Sequence, residues 1–450
     1  MLVKVGSFFS AIVRKYLPDA FIFAIFLTLF TFILGMILTE SSPIAMVAHW
    51  GDGVWKLLTF TMQIGLTLVT SHILAHTKPV QKLLKSVTSK VKKPASAIMI
   101  AVVSATIASY LSWAFGLIVG AIVAKELAKQ VKGVHYPLLV GSAYTGFIVW
   151  HAGLSGSIPL AIATPGHFLE EKIGLIPVTE TMFSIQTIVT VLILFITMPF
   201  VMRFMIPKDK HEIIEFKTSA KEEMAAATGV PASNETKGYI QSTWATKVEN
   251  NRFGSVLLGL LFLSYLIYHF YHNGGLTALN LDVVNGIFFA AGLLFVESPR
   301  RYVEMAGDAG RSMASIVIQF PLYAGIMGMM VGSGLAVMIS TWFVQISDSS
   351  TLPLFSFWAA GLLNIFVPSG GGQWAVQGPI MIQAAQEIGS SIPEVAMAIA
   401  WGDAWTNMIQ PFWALPLLGI AGLGIRDIMG YCVVALFWSG IVISAMFMLF

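Results

Sequence analysis

Nine apolar runs, each long enough as helix to cross or nearly cross a bilayer's hydrocarbon core, recur from one end of this chain to the other. They cover residues 18–39, 52–76, 135–163, 183–205, 253–272, 281–297, 312–345, 393–423 and 428–450. A helix rises about 1.5 Å per residue, so about 20 apolar residues cross a core of about 30 Å. Backbone N–H and C=O groups find no water there and have to pair within the segment, which leaves helix as the solution. With 56% hydrophobic and 11% charged residues, the chain lies far below the roughly 25% charged of soluble domains. The expected fold is an all-α polytopic membrane protein. A net charge of +3 gives no reason to expect a nucleic-acid partner.

Two further stretches, 94–131 and 353–390, are each long enough for two short arms and weaken as helix near their middles. We read both as re-entrant hairpins that enter and leave on one side, beside about nine transmembrane helices. Charge placement supports this. With a cytoplasmic N-terminus, 24 of the 26 Lys and Arg fall on predicted inside segments, leaving only Lys56 and Lys172 outside. That bias orients a membrane protein and predicts a periplasmic C-terminus. Arg14 and Lys15 precede an apolar run too long for a cleavable signal, so the N-terminus reads as a first crossing. The lone Cys432, inside an apolar run, reads as a small buried residue.

Residues 206–252 are polar and poor in large apolar side chains, and read as a cytosolic linker. They separate a first repeat (1–205, with hairpin 94–131 and broken helix 135–163) from residues 253–450. The second part holds a connector helix, 253–272, and a second repeat with hairpin 353–390 and broken helix 393–423. Gln63 and Gln319 sit mid-helix at corresponding places, and Ser112 matches Ser369. Because the matched helices run in opposite directions, the two repeats have inverted topology, an organisation typical of secondary transporters.

Chemistry concentrates at the hairpin tips and helix breaks. Val367-Pro-Ser369-Gly370-Gly371-Gly372-Gln373-Trp374 is expected to be non-helical at the glycines, with arms near 353–367 and 373–389. Such a turn aims backbone amides at a ligand, and the arm behind it presents a helix N-terminus that attracts carboxylates without any Arg. Ser369 and Gln373 add side-chain donors, and Asn364 lies one turn earlier. The first hairpin offers Ser112 and Trp113 at its tip, followed by Gly116 and Gly120, whose spacing suits close helix packing.

The 135–163 crossing breaks at Trp150-His151-Ala-Gly153-Leu-Ser155-Gly156-Ser157-Ile-Pro159. An ionisable group at membrane depth is a functional candidate; His151 could bind a carboxylate, relay a proton, or sit neutral against backbone. The 393–423 crossing carries Trp401-Gly-Asp403-Ala-Trp405-Thr406-Asn407-Met-Ile-Gln410-Pro411. Asp403 is the candidate for coupling-ion chemistry, with Thr406, Asn407 and Asn364 around it, although an Asp there can also cap a half-helix. Oxygen-only ligation suits Na⁺, and a lone carboxylate also suits H⁺. No other metal and no cofactor is expected.

Gly153-Leu-Ser155-Gly156 also fits the Gly-x-Ser-Gly of rhomboid intramembrane proteases, but the later histidines, His167, His211, His269 and His272, fall at predicted loops or helix ends. A passive channel is a second alternative. An enzyme is not expected.

The segments Val367–Pro379 and Trp401–Pro411 resemble the bacterial short-chain fatty acid transporter family, and the resemblance runs over essentially the whole chain. The chain is also similar to the wider ion transporter superfamily of elevator-type carriers. The resemblance implies a multi-pass protein of the bacterial inner membrane and an elevator motion, in which hairpins and broken helices move against a scaffold that usually dimerises. It also implies ion-coupled transport of short-chain monocarboxylates such as butyrate and acetoacetate. The residues are consistent with this: no Arg or Lys lies in either tip or break. Ser112, Trp113, His151, Ser369, Gly370, Gly371, Gly372, Gln373, Trp374 and Asn407 are the expected substrate contacts, and Trp113, Trp374 and Trp405 could enclose an apolar tail.

Overall fold

A computed structural model describes residues 20–56, 58–163, 167, 169–216, 243–279, 281–368 and 370–450. Regular structure among the described residues is helical, without strands. The principal helices are α1 Ala20–Leu38, α2 Pro43–Val54, α3 Leu58–His76, α4 Lys78–Thr88, α5 Pro94–Leu111, α6 Trp113–Gln130, α7 Tyr136–Thr145, α8 Ser157–Ile162 and α9 Ile185–Arg203. They continue as α10 Arg252–His272, α11 Leu281–Phe295, α12 Pro299–Gly332, α13 Leu335–Gln345, α14 Leu352–Asn364, α15 Gly370–Ile388, α16 Ile392–Thr406, α17 Pro411–Ala421 and α18 Ile425–Leu449. Several begin on a Ser cap with Pro in the first turn: Ser42 accepts from the Ala45 amide, Ser298 from Arg301 and Ser391 from Glu394. The cap satisfies an amide that the first turn leaves orphaned, and Pro has no amide to satisfy.

Five described helical segments are long and apolar enough to cross a membrane: 94–111, 136–162, 185–203, 252–272 and 425–449. Large apolar side chains also lie exposed along the outside, Phe26, Ile33 and Ile37 on α1 and Phe253, Leu261 and Tyr271 on α10 among them. In water such a surface would aggregate; against lipid it is solvated.

Several boundaries differ from those expected. The 52–76 run is two helices: Gly53 belongs to α2, and the chain turns at Trp55 and Lys56 before α3 begins. The 312–345 run is the end of a 34-residue helix, α12, plus α13. The break falls at Gly334, whose φ of +82° suits glycine. Polarity hides the first turns of α12, but Arg300–Glu304, Arg301–Glu304 and Arg311–Asp308 pair at helical spacing there.

The second hairpin's arms are also shifted, because Gly370–Gly372 form the first turn of α15 rather than a linker before it. Pro368 breaks the chain, and the glycines then restart it. A first turn has no intrahelical bonds to lose at its amides, which lowers the cost of glycine there. The loop leading into α14 is closed by Asp348, which accepts from the hydroxyl and amide of both Ser350 and Thr351. The side-chain and backbone hydrogen bonds to Ser350 and Thr351 hold its carboxyl down to about 2.

A helix pair followed by an interrupted helix occurs twice: α5–α6 then α7–α8, and α14–α15 then α16–α17. Only Ser112 separates α5 from α6, in extended conformation (φ −157°, ψ 134°). The arms pack tightly enough that a Cβ at Gly116 would lie 2.5 Å from Ser109 Cα. They are not short: 18 residues in α5 cover about 27 Å. In the other half, α14 packs along α16, and a Cβ at Gly402 would overlap the Phe357 carbonyl.

Away from these elements, α2 lies on α12 through backbone. A Cβ at Gly53 would be 2.6 Å from the Ala324 carbonyl oxygen and 2.8 Å from Gly328 Cα. Gly53→Ala is therefore expected to destabilise by about 1–3 kcal/mol, the usual cost of overpacking. A lowered melting temperature in detergent checks this; an unchanged one means the two helices separate freely.

Candidate functional site

The two interrupted helices meet in the interior, and each interruption has a local cause. After α7 the chain tightens into a 3-10 segment, Gly146–Ala152, and then runs extended to α8. A Cβ at Gly153 would overlap the Tyr110 carbonyl and one at Gly156 the His151 carbonyl, so only glycine lets these backbones cross. The first hairpin's tip is tied here. Leu154 N–H donates to Tyr110 C=O at 2.8 Å, and Trp113 N–H to Ser155 Oγ at 3.0 Å. Ser112 Oγ is buried and has no partner among the described residues. The Trp113 ring meets Trp413 edge-on at 5.3 Å.

In the second interruption the chain leaves α16 at Asn407 and restarts at Pro411, where Gln410 accepts from the Phe412 amide and donates to Ile365 C=O at 3.0 Å. Asn364, at the end of α14, reaches across. Its Nδ2 shares two protons among Asp403 C=O at 2.9 Å, Thr406 Oγ1 at 3.0 Å and Asn407 Oδ1 at 2.8 Å. The amide orientations follow from chemistry. Asp403 C=O can only accept, so Asn364 presents its nitrogen there. Asn407 Nδ2 donates to Asp403 Oδ2 at 3.4 Å, which leaves its Oδ1 for Asn364. Thr406 spends its hydroxyl proton on Gly361 C=O at 2.8 Å, and Tyr144 OH donates to Asn407 C=O at 2.5 Å.

Asp403 joins this knot to the other interruption. Its Oδ2 lies 3.2 Å from His151 Nδ1, with both side chains buried. The pair is within ion-pair distance, but its angle falls short of an aligned hydrogen bond, and Asp403 Oδ1 has no partner among the described residues. The imidazole stacks on Trp150 at 4.0 Å. His151 Nε2 accepts from Ile158 N–H at 3.3 Å and lies 3.1 Å from Ser157 Oγ. The first residue of α15 rests against these groups: a Cβ at Gly370 would stand 2.5 Å from Ser157 Oγ and 2.6 Å from His151 Cε1.

The structure thus brings His151, Asp403, Asn364, Thr406, Asn407 and Gly370 into one continuous cluster. Gly371 is exposed beside it and Gly372 half-buried. Gln373 turns inward, donating to Ala360 C=O at 2.8 Å and Gln377 Oε1 at 3.1 Å. Trp374 is buried against Gly378, and Trp405 donates to Leu436 C=O of α18 at 2.8 Å. Ser369 lies outside the described residues. Gln63 bonds between helices, donating to Asp282 at 2.9 Å. Ser157 and Tyr144 were not singled out by sequence. Ser157 is one of several hydroxyls in the first interruption, and only its distance to His151 distinguishes it.

A separate cavity of about 390 Å³ lies between α3, α12 and α17, lined by His72, His76, Arg301, Asp308, Arg311 and Gly419 among others. No group of three or more His, Cys, Asp or Glu able to hold a metal ion occurs among the described residues.

A family model described as "Short chain fatty acid transporter" matches residues 1–450. The chain belongs to the short-chain fatty acid transporter family. A candidate short-chain fatty acid transporter of Escherichia coli (strain K12) is 42% identical over 442 residues, covering 98% of each chain. One from Haemophilus influenzae is 41% identical over 447 residues, again covering 98% of each. Among solved structures, the YdaH transporter of Alcanivorax borkumensis aligns with a TM-score of 0.49 at 14% identity, over 95% of this chain and 98% of that one. For a short-chain fatty acid transporter family member the cluster has a telling charge content: one carboxylate, one imidazole and no Lys or Arg among its described contacts.

Proposed function

We propose that this chain is an ion-coupled carrier of short-chain monocarboxylates, butyrate and acetoacetate among them, working by elevator-type alternating access in the bacterial inner membrane. The observation that carries this is the buried meeting of α15's N-terminus with His151, whose other ring nitrogen faces Asp403. The helix start offers orphaned amides and about half a positive charge, enough for one carboxylate. Without a basic side chain, a second carboxylate has no partner. Burial of Asp403, Asn407 and His151 at no more than about 1% exposure favours an occluded site opened alternately over a standing pore. Ser155, the serine of Gly-x-Ser-Gly, holds Trp113 N–H rather than a histidine, which favours transport over proteolysis.

The moving body would comprise α5–α8 and α14–α17, each set drawn from one inverted repeat, against a scaffold of the remaining helices that dimerises through its exposed apolar faces. The N-terminus would be cytoplasmic, the C-terminus periplasmic, and residues 206–252 a cytosolic link.

Labelled butyrate uptake into proteoliposomes, under separately imposed Na⁺ and pH gradients, tests the proposal. Saturable accumulation, competition by acetate to hexanoate and none by succinate are expected. Asp403→Asn should abolish accumulation, because the site then carries no charge for a cation to balance. Flux that never exceeds equilibrium, or equal competition by succinate, would overturn the proposal.

A further inference from the structure

The two ring nitrogens of His151 face different chemistry. Ile158 N–H can only donate, so the Nε2 it reaches at 3.3 Å carries a lone pair. The ring proton is then on Nδ1, facing Asp403 at 3.2 Å. Ser157, 3.1 Å from the same Nε2, spends its hydroxyl proton on the ring. Gly370 abuts both residues, so a carboxylate held at the first turn of α15 lies beside the Ser157 hydroxyl.

Charge sets a second condition. Asp403 is the one carboxylate in the cluster, and a substrate carboxylate entering a buried site next to it meets like-charge repulsion that low dielectric amplifies. A cation has to enter with it. The cluster offers Na⁺ few free oxygens, because Asp403 C=O, Thr406 Oγ1 and Asn407 Oδ1 share the two protons of Asn364 Nδ2, and a cation there has to compete with them. Asp403 Oδ1 and Asn364 Oδ1 are the cluster oxygens without a partner among the described residues, against the about six that a hard cation takes.

We propose, resting on the transport function above, that the coupling ion is a proton taken by the His151–Asp403 pair and that Ser157 is the substrate-binding residue it switches. The proton adds to the Nε2 lone pair, giving an imidazolium with Nδ1–H on Asp403 and Nε2–H directed at Ser157 Oγ. Ser157 then turns its own hydroxyl proton toward a carboxylate oxygen, and Ile158 N–H is released in the same direction. One proton and one carboxylate enter together, and the site keeps the single negative charge it began with.

Two tyrosines stand near the cluster: Tyr144 on α7 reaches it through Asn407 C=O, and the Tyr110 carbonyl takes the Leu154 amide beside it; the other titratable groups on the elements packed around it lie further along their helices. Tyr110 ends α5; Lys125, Glu126 and Lys129 lie in the last two turns of α6; Arg203 ends α9; Glu387 ends α15. Glu394 lies in the first turn of α16, and Arg426 and Asp427 in that of α18. Cys432 is buried one turn further along α18.

Calorimetric titration of butyrate onto the purified wild-type protein, without Na⁺ and in two buffers of different ionisation enthalpy, counts the protons. About one proton taken up per butyrate is expected, with binding weakening about tenfold per pH unit where that proton is linked. Ser157→Ala should weaken binding about tenfold, the loss of one hydrogen bond to a charged group, and cut proton uptake well below that of wild type. His151→Gln should take up no proton and bind independently of pH. The wild-type count stands whether or not the variants fold. Butyrate binding that takes up no proton, or that depends on Na⁺ and not on pH, overturns the proton assignment while leaving transport intact. A wild-type protein that binds no monocarboxylate removes both.

Discussion

Gly370→Ala is expected to reduce butyrate uptake about 100-fold, the scale on which a positioned site suffers from a displacement of about 1 Å. Gly371→Ala, one residue on, is expected to stay within about twofold, the usual range for a substitution that touches nothing. The contrast comes from what each new methyl would meet. At position 370 it stands 2.5 Å from Ser157 Oγ and 2.6 Å from His151 Cε1. The serine can rotate, but the imidazole edge cannot easily retreat, because the buried ring is stacked on Trp150 and accepts from Ile158 N–H. The tip of α15 has to withdraw instead, taking its amides away from Ser157. At position 371 the methyl meets nothing within 4 Å, and alanine in a first helical turn costs nothing. Initial uptake rates of the two variants at matched reconstitution decide the matter. Equal effects would show that the glycines serve chain flexibility and not contact.

The second large effect is on stability. Asn364→Ala is expected to cost about 2–4 kcal/mol, because it strands buried acceptors rather than removing a matched pair. Asn364 Nδ2 serves the Asp403 carbonyl, Thr406 Oγ1 and Asn407 Oδ1, and an alanine leaves a void that apolar neighbours cannot satisfy. Thr406→Val should cost less, since it removes a hydroxyl whose main bond is to the Gly361 carbonyl. Melting in detergent should therefore rank wild type above Thr406→Val, and Thr406→Val above Asn364→Ala. If Asn364→Ala melts with wild type, α14 and α16 are held by packing alone, and the knot has no structural role.

Much of this arrangement is legible before any coordinates. Breaks within 150–159 and 401–411 announce themselves because Gly, Pro and hydroxyl residues interrupt sequence that lipid would keep helical. Asp403 stands out because a carboxylate inside an apolar run is costly unless it is paired, water-lined or ion-binding, although the run alone leaves a capping role open. The pairing of Asp403 with His151 was not legible, since the two lie on different broken helices and meet only through tertiary packing. Nor was Ser157: beside Ser155 it looks equivalent, and only the fold gives one serine to Trp113 N–H and the other to the imidazole. The glycines misled in a specific way. Their low propensity argues for loop, but propensity counts least in a first turn, and close approach at Gly370 demands the missing side chain. In α12, charges concealed helix because they pair along its own surface.

Ser112 is a one-residue joint between α5 and α6, and its brevity has a mechanical consequence. An extended residue covers only about 3.3 Å, so neither helix can slide along the other without tearing the link. Gly116 pressed on Ser109 removes the remaining slack. Whatever displaces Tyr110 must displace Trp113 by nearly the same amount. The pair therefore behaves as a stiff fork that delivers a push from one end to the other undiminished, and any give in the molecule has to be sought in its longer connections.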